Sequence, residues 1–278
     1  MKKNENNIPK FIKYALSAYN RRGYVGGIIA GEFGKGKTVT AIKIAGKILQ
    51  CKYGYTEEQA WDEVINNYMI FNSDDFIDLT HNMTKDIDWV NMNPKEILTT
   101  KYNMRYPVLI WDDAGIHASS KKEVFDKSSA WDIQTEYDTI RDTTSCMLLT
   151  VPEEGELMKF LRTYRSNYFI ELAVPHGVGD PDKRIMSFYK YERDVRTGNM
   201  KRRLKWRTSP ENAHSIHLPD WAYGTYDKNR TLAKIKHNEK LMEKKEEREL
   251  IKKYRLLKKK MLLEKWSKEL KVDTVSMS

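Results

Sequence analysis

Long apolar runs are missing from this 278-residue sequence. None approaches the ~20 residues a membrane-spanning helix needs, and the opening Met1-Lys2-Lys3-Asn4-Glu5-Asn6-Asn7 lacks the apolar stretch of a secretion signal. The expectation is a cytoplasmic chain without a membrane span. Cysteine is nearly absent too: Cys51 and Cys146 are the only two, which excludes a disulfide framework, and no Cys/His cluster has zinc spacing. Proline and glycine are both lacking from Asp227 to Leu270, so that stretch is expected to be largely helical. Acid is scarce in two places. Residues 184–207 carry nine Lys/Arg against two acids, and residues 228–270 carry sixteen against seven. These stretches contribute +7 and +9 to a net charge of +10, leaving about −6 for the rest. Such asymmetry points to a polyanionic partner.

What is present begins with Gly31-Glu32-Phe33-Gly34-Lys35-Gly36-Lys37-Thr38, which fits the G-x-x-x-x-G-K-[ST] phosphate loop. Tyr24 to Ala30 precedes it as a short, mostly apolar run, as for a strand buried on both faces of a parallel sheet. Ala41, Ile42, Ile44, Ala45, Ile48 and Leu49 follow it at helical spacing. Glycines let the backbone curl so that its N–H groups face phosphates, Lys37 reaches the β and γ oxygens, and the Thr38 hydroxyl ligates Mg²⁺. The cofactor set is therefore Gly31, Gly34, Lys35, Gly36, Lys37, Thr38 and Val39, with ATP and Mg²⁺ as cofactors. Pro107 to Trp111 is a second apolar run, ending in Asp112 and Asp113. Asp112 is expected to hold the metal with Thr38, and Asp113 to orient the attacking water as a base.

Between these motifs, Thr56 to Asn67 reads as a helix and Tyr68 to Phe71 as a strand, with Ser73 as an N-cap for the segment Asp74–Leu79. Those aspartates read as capping residues, or as neighbours of the nucleotide. Thr80 to Tyr106 looks irregular apart from a short helix around residues 94–100. Ile133, Tyr137 and Ile140 mark a helix, and Ser145 to Val151 a strand whose Thr150 could touch the γ-phosphate or the water. Glu153 to Tyr164 reads as a helix and Tyr168 to Val174 as a fifth strand.

This order resembles the additional-strand class of phosphate-loop ATPases, which includes the AAA+ proteins, the RecA-like motors and the HerA/FtsK-type translocases. The likeness covers roughly residues 20–175. Within the class, the stretch from Arg141 to Tyr168, with Leu-Leu-Thr-Val-Pro and Leu-Met-Lys-Phe-Leu-Arg, looks like small ATPases of archaeal viruses and plasmids, Zot-like or replication-initiator-like. The implied fold is a three-layer α/β sandwich around a central parallel sheet, to which the residues beyond it add a basic β-hairpin and a long C-terminal helix. The expected domains are an ATPase core at 1–178, the hairpin appendage at 179–226 and the basic helix and tail at 227–278. Glutamate is commoner in the class where Asp113 stands. Class members work as oligomers in which one subunit's arginine reaches its neighbour's γ-phosphate; Arg162 and Arg165 are the first candidates and Arg141 the third.

In the hairpin, strands at 184–193 and 200–208 are joined by a turn at 194–199. Alternation puts Lys201, Arg203, Lys205 and Arg207 on one face, opposite Met200, Arg202, Leu204 and Trp206. That ribbon could track a nucleic-acid backbone without reading sequence, with Tyr189 or Tyr191 stacking on bases. A merely solvated face is the competing reading. In the terminal helix, Leu250, Tyr254, Leu257 and Met261 form an interrupted apolar seam that could serve a protein partner. The leading functional expectation is a DNA-associated motor or remodelling ATPase of a mobile element, engaged in translocation, packaging or replication initiation. A protein-remodelling or virion-assembly ATPase is the alternative, and a small-molecule kinase a third.

Overall fold

A computed structural model describes residues 9–73, 75–76, 78–79, 87–119, 127–138, 140–164, 166–176, 180–193 and 200–275. Two compact units divide it, Met1–Arg230 and Thr231–Ser278. In the first, helix α1 (Lys10–Asn20) leads into strand β1 (Val25–Ala30), the glycine loop and helix α2 (Lys37–Tyr53). Helix α3 (Glu57–Asn67), strand β2 (Met69–Ile70), helix α4 (Pro94–Met104) and strand β3 (Leu109–Trp111) follow. Then come helix α5 (Lys127–Asp138), strand β4 (Cys146–Val151), helix α6 (Lys159–Thr163) and strand β5 (Asn167–Ala173). Strands β6 (Lys183–Arg193), β7 (Met200–Arg207) and β8 (His214–Ser215) precede the long helix α7 (Asp220–Val275).

The sheet runs β2-β3-β4-β1-β5-β6-β7, with β8 paired to β6. Its first five strands are parallel, and β6, β7 and β8 add antiparallel pairs. This is the expected three-layer phosphate-loop sandwich with a long C-terminal helix. Strands β3 and β4 are buried along their whole length, which explains why they read as unbroken apolar runs rather than as alternating ones. Because β4 lies between β1 and β3, a residue at its C-terminal end is flanked by the loop on one side and the acid pair on the other.

Three local readings change. Strand β6 pairs with β5 over five residues, from Phe169↔Tyr189 to Ala173↔Ile185. The hairpin thus extends the sheet rather than standing apart as an appendage, and the first unit runs on to Arg230. Aromatic packing provides the reason: Phe188 stacks on Phe11 and on Trp206, with centroids 5.5 and 4.8 Å apart, so α1 closes over both strands. The expected helix from Glu153 is shorter. Leu157 and Met158 are extended and fully buried, and the Met158 N–H donates to the Ala118 carbonyl at 3.0 Å. The cap near residue 73 belongs to Asn72, whose Oδ1 accepts from the Asp75 N–H at 2.8 Å. Thr56 caps α3, in a reciprocal pair with Gln59. The turn at 194–199 lies outside the described residues.

Candidate nucleotide site

Strand β1 delivers the chain to the loop at the C-terminal edge of the sheet. Gly34 and Gly36 take φ of 78° and 81°, left-handed values that residues with a Cβ avoid. They turn the backbone into the first turn of the 17-residue α2, whose unpaired N–H groups and dipole favour an anion. Lys37 is buried, and its Nζ donates to the Gly31 and Glu32 carbonyls at 2.7 and 3.0 Å. Burial pulls its pKa below the ordinary lysine value, against the opposing charges of Asp113, Asp112 and Glu156. Lys35 is exposed and pairs with Glu32 at 3.4 Å.

Strand β3 brings Asp112 to the same edge, 1% exposed. Its Oδ1 accepts from the hydroxyls of Thr38 and Thr150, each at 2.7 Å, and its Oδ2 from Tyr226 Oη at 2.7 Å. A threonine that donates its proton to a carboxylate keeps its lone pairs for a cation. Asp113 sits at φ 49° and ψ 39°, a left-handed conformation that costs a non-glycine residue about 1–2 kcal/mol. Such strain gathers where a side chain must be aimed. Here the Asp113 N–H donates to Thr150 Oγ1 at 2.9 Å, and its carboxylate pairs with Arg230.

The sequence reading missed the segment that closes the site. Thr40 Oγ1 lies 2.8 Å from His214 Nε2, and Lys43 Nζ donates to the Ser215 carbonyl at 2.6 Å. Ile216, Leu218, Tyr223, Tyr226 and Arg230 then wall a cavity of about 260 Å³ with Gly34, Gly36, Lys37, Thr38, Val39 and Asp113. The available signal was Tyr226 and Arg230 at i,i+4 spacing, one face of a helix.

Burial, with the nearby charges of Lys43 and Arg184, lowers the pKa of His214 to about 4. The ordinary value is about 6.5, so the unfolded chain binds the extra proton first. The stability from a neutral His214 is fully present above about pH 6.5 and is lost as pH falls toward 4, with a total near 3 kcal/mol. His214→Gln is expected to flatten this part of the stability curve, as measured by denaturant unfolding at several pH values. An unchanged slope would contradict the assignment.

The other expected residues are scattered. Arg162 is half-buried on α6 and influences Tyr191 rather than lining the nucleotide cavity; Arg165 lies outside the described residues, as does the side chain of Arg141. A register shift in the β6–β7 pair between Phe188 and Tyr189 divides the basic ribbon. Lys201 and Arg203 lie opposite Glu192 and Lys190, and Lys205 pairs with Glu192. Arg207 instead donates to Ser187 Oγ at 2.7 Å. With Arg202 it lines a second cavity of about 450 Å³ that reaches Gly31 and Lys35. Trp206, expected to back the ribbon, stacks under α1, because the bulge reverses the alternation.

Glycine cradle, lysine, paired hydroxyls and carboxylates suit a nucleoside triphosphate with magnesium. Among the described residues no group of three or more His, Cys, Asp or Glu side chains could hold a metal ion. No family model matches the chain. It is 24% identical over 231 residues to the uncharacterized protein B-251 of Sulfolobus spindle-shape virus 1, spanning 82% of this chain and 80% of that protein. Similar solved structures include the N-terminal domain of zonular occludens toxin from Neisseria meningitidis, with 15% identity, 66% and 94% coverage and TM-score 0.32. Another is the flagellar accessory protein FlaH from Methanocaldococcus jannaschii, with 15% identity, 67% and 95% coverage and TM-score 0.31. No described helix is long and apolar enough to cross a membrane.

Proposed function

We propose that this chain is a magnesium-dependent ATPase of the additional-strand class that acts on DNA for a mobile element. The observation that carries the enzymatic part is the convergence of Thr38 and Thr150 on the buried Asp112, beside the lysine of the glycine loop. Such an edge positions a triphosphate, neutralises charge on its terminal phosphate and places Asp113 to orient water. Lys37 would leave the Gly31 and Glu32 carbonyls for the phosphate oxygens. The place of β4 between β1 and β3 supports the additional-strand reading, and kinship with a viral protein supports the mobile element.

The DNA part rests on charge. Lys201, Arg203 and Lys205 are exposed on β7, and residues 228–270 carry a net +9. Lys205 also pairs with Glu192, and all three stand on one strand as candidate phosphate contacts. ATP hydrolysis with no nucleic acid, with single strands and with duplex is the test. Stimulation by DNA at low salt that fades as salt rises is expected, since phosphate contacts release counterions. Lys201→Glu with Arg203→Glu should abolish the stimulation and spare the DNA-free rate. Hydrolysis and electrophoretic mobility indifferent to every DNA form would refute the DNA reading.

A second reading has its own observation. Leu250, Tyr254, Leu257 and Met261 on α7 are each at least 60% exposed. This apolar row favours a protein partner or another copy of the chain, as in a virion-assembly or protein-remodelling ATPase. Recovery of protein after nuclease treatment in a pull-down distinguishes it. A homo-oligomer in which Arg162 or Arg165 serves the adjacent subunit belongs to either reading.

A further inference from the structure

Tyr226 and Arg230 stand one helical turn apart at the start of α7, and each engages one of the two carboxylates at the tip of β3. Tyr226 is buried beside Asp112, and its hydroxyl also feels the Thr38 hydroxyl. The phenol donates to Asp112 Oδ2 at 2.7 Å, which ties this turn of the helix to the carboxylate. Arg230 is half-buried. Burial opposes its charge, but Tyr226, Asp113 and Asp112 outweigh that cost and hold it above the ordinary arginine value. One of its amino groups meets Asp113 Oδ2. A guanidinium has five N–H donors in a planar fork, so several remain beyond that pair. They border the same cavity as Gly34, Gly36, Lys37 and Thr38.

We propose that Arg230 contacts the terminal phosphate of the nucleotide bound by its own chain, and that Tyr226 is the positioning residue that fixes the turn carrying it. The proposal rests on the ATPase reading above and names the arginine which that reading leaves to a neighbouring subunit. In the hydrolytic step, water oxygen bonds to the terminal phosphorus and passes a proton to the Asp113 carboxylate. The bond from phosphorus to the bridging oxygen breaks, and ADP departs with that electron pair, leaving inorganic phosphate. Negative charge spread over the phosphoryl oxygens would meet the free N–H groups of Arg230 on one side and Lys37 on the other. The pair with Asp113 holds the fork beside the water-orienting carboxylate. All of these groups belong to one chain, so the arginine requires no second copy.

The test compares the full chain with Arg230→Ala, Arg230→Lys and Tyr226→Phe, following phosphate release and, separately, the affinity for a fluorescent non-hydrolysable ATP analogue. Arg230→Ala is expected to lower kcat on the order of 10³-fold, as for other arginines at a transferring phosphoryl group, with less than a tenfold change in analogue affinity. Added guanidinium ion should restore part of that rate, which a merely structural role would not allow. Tyr226→Phe should lower kcat by a smaller factor. Mixing Arg230→Ala with Lys37→Ala chains discriminates further: an in-chain arginine gives no recovered activity, and a neighbour's arginine restores it. A kcat for Arg230→Ala within about threefold of native, or recovery in the mixture, overturns the assignment while leaving the ATPase reading intact. Absence of hydrolysis by the native chain overturns both.

Discussion

Lys37→Ala is expected to abolish most ATP turnover, by about 10²–10³-fold, the loss that follows removal of a fixed charge worth about 3–4 kcal/mol to a transition state. The site gives the lysine no equivalent substitute. Its ammonium is buried against two loop carbonyls, 2.7 and 3.0 Å away, so it needs only to exchange those for phosphate oxygens. Arg230, the other cation on the cavity, is tied to Asp113 and cannot take its place. Folding should not suffer to match. Truncation removes a cation that burial already disfavours, and the freed carbonyls lie at the edge of a cavity open to water. Steady-state phosphate release alongside thermal unfolding checks both halves. A variant that keeps a third of the native rate would remove the lysine from the chemistry, and one that unfolds would make its role structural.

The loop and the acid pair were legible in the sequence because each is local. Gly31 to Thr38 and Trp111-Asp112-Asp113 are contiguous, and buried parallel strands betray themselves as apolar runs. Thr150 was legible for the same reason, standing at the end of such a run. Tyr226 and Arg230 were not: they reach Asp112 and Asp113 from 114 and 117 residues away, and nothing near either residue signals a carboxylate partner. His214 was hidden likewise, in a two-residue strand too short for periodicity, and Ile216 directly follows it. The basic ribbon shows a different limit. Alternation assigns faces only while register holds, and a bulge opposite Phe188 and Tyr189 sends Arg207 to Ser187 and Trp206 under α1. At Leu157 and Met158, helical spacing was real in the sequence, but burial against the Ala118 region won over local propensity.

The largest expected change in stability lies behind the acid pair rather than in it. Trp111 is fully buried at the end of β3 and stacks on Phe76, with centroids 5.2 Å apart and planes 29° off parallel. Trp111→Ala would leave a cavity where the indole stood and should cost about 3–5 kcal/mol, roughly 10 °C in melting temperature for a unit of this size. Backbone pairing of Trp111 with Ile70 and Leu149 does not depend on the side chain, so the strand itself should survive. What loosens is the anchor of the next residue, Asp112, whose three hydroxyl donors come from α2, β4 and α7. Trp111→Phe separates the two contributions. The indole Nε1 is buried without a hydrogen-bond partner among the described residues, so phenylalanine keeps the stack and removes an unsatisfied donor that would itself cost about 1–3 kcal/mol. Its net cost should therefore be about 1 kcal/mol, with turnover largely retained. Denaturant titration of both variants, followed by their ATP turnover at a temperature where each is folded, provides the measurement. An alanine variant within about 1 kcal/mol of native would mean that the wall behind Asp112 is not built on this indole.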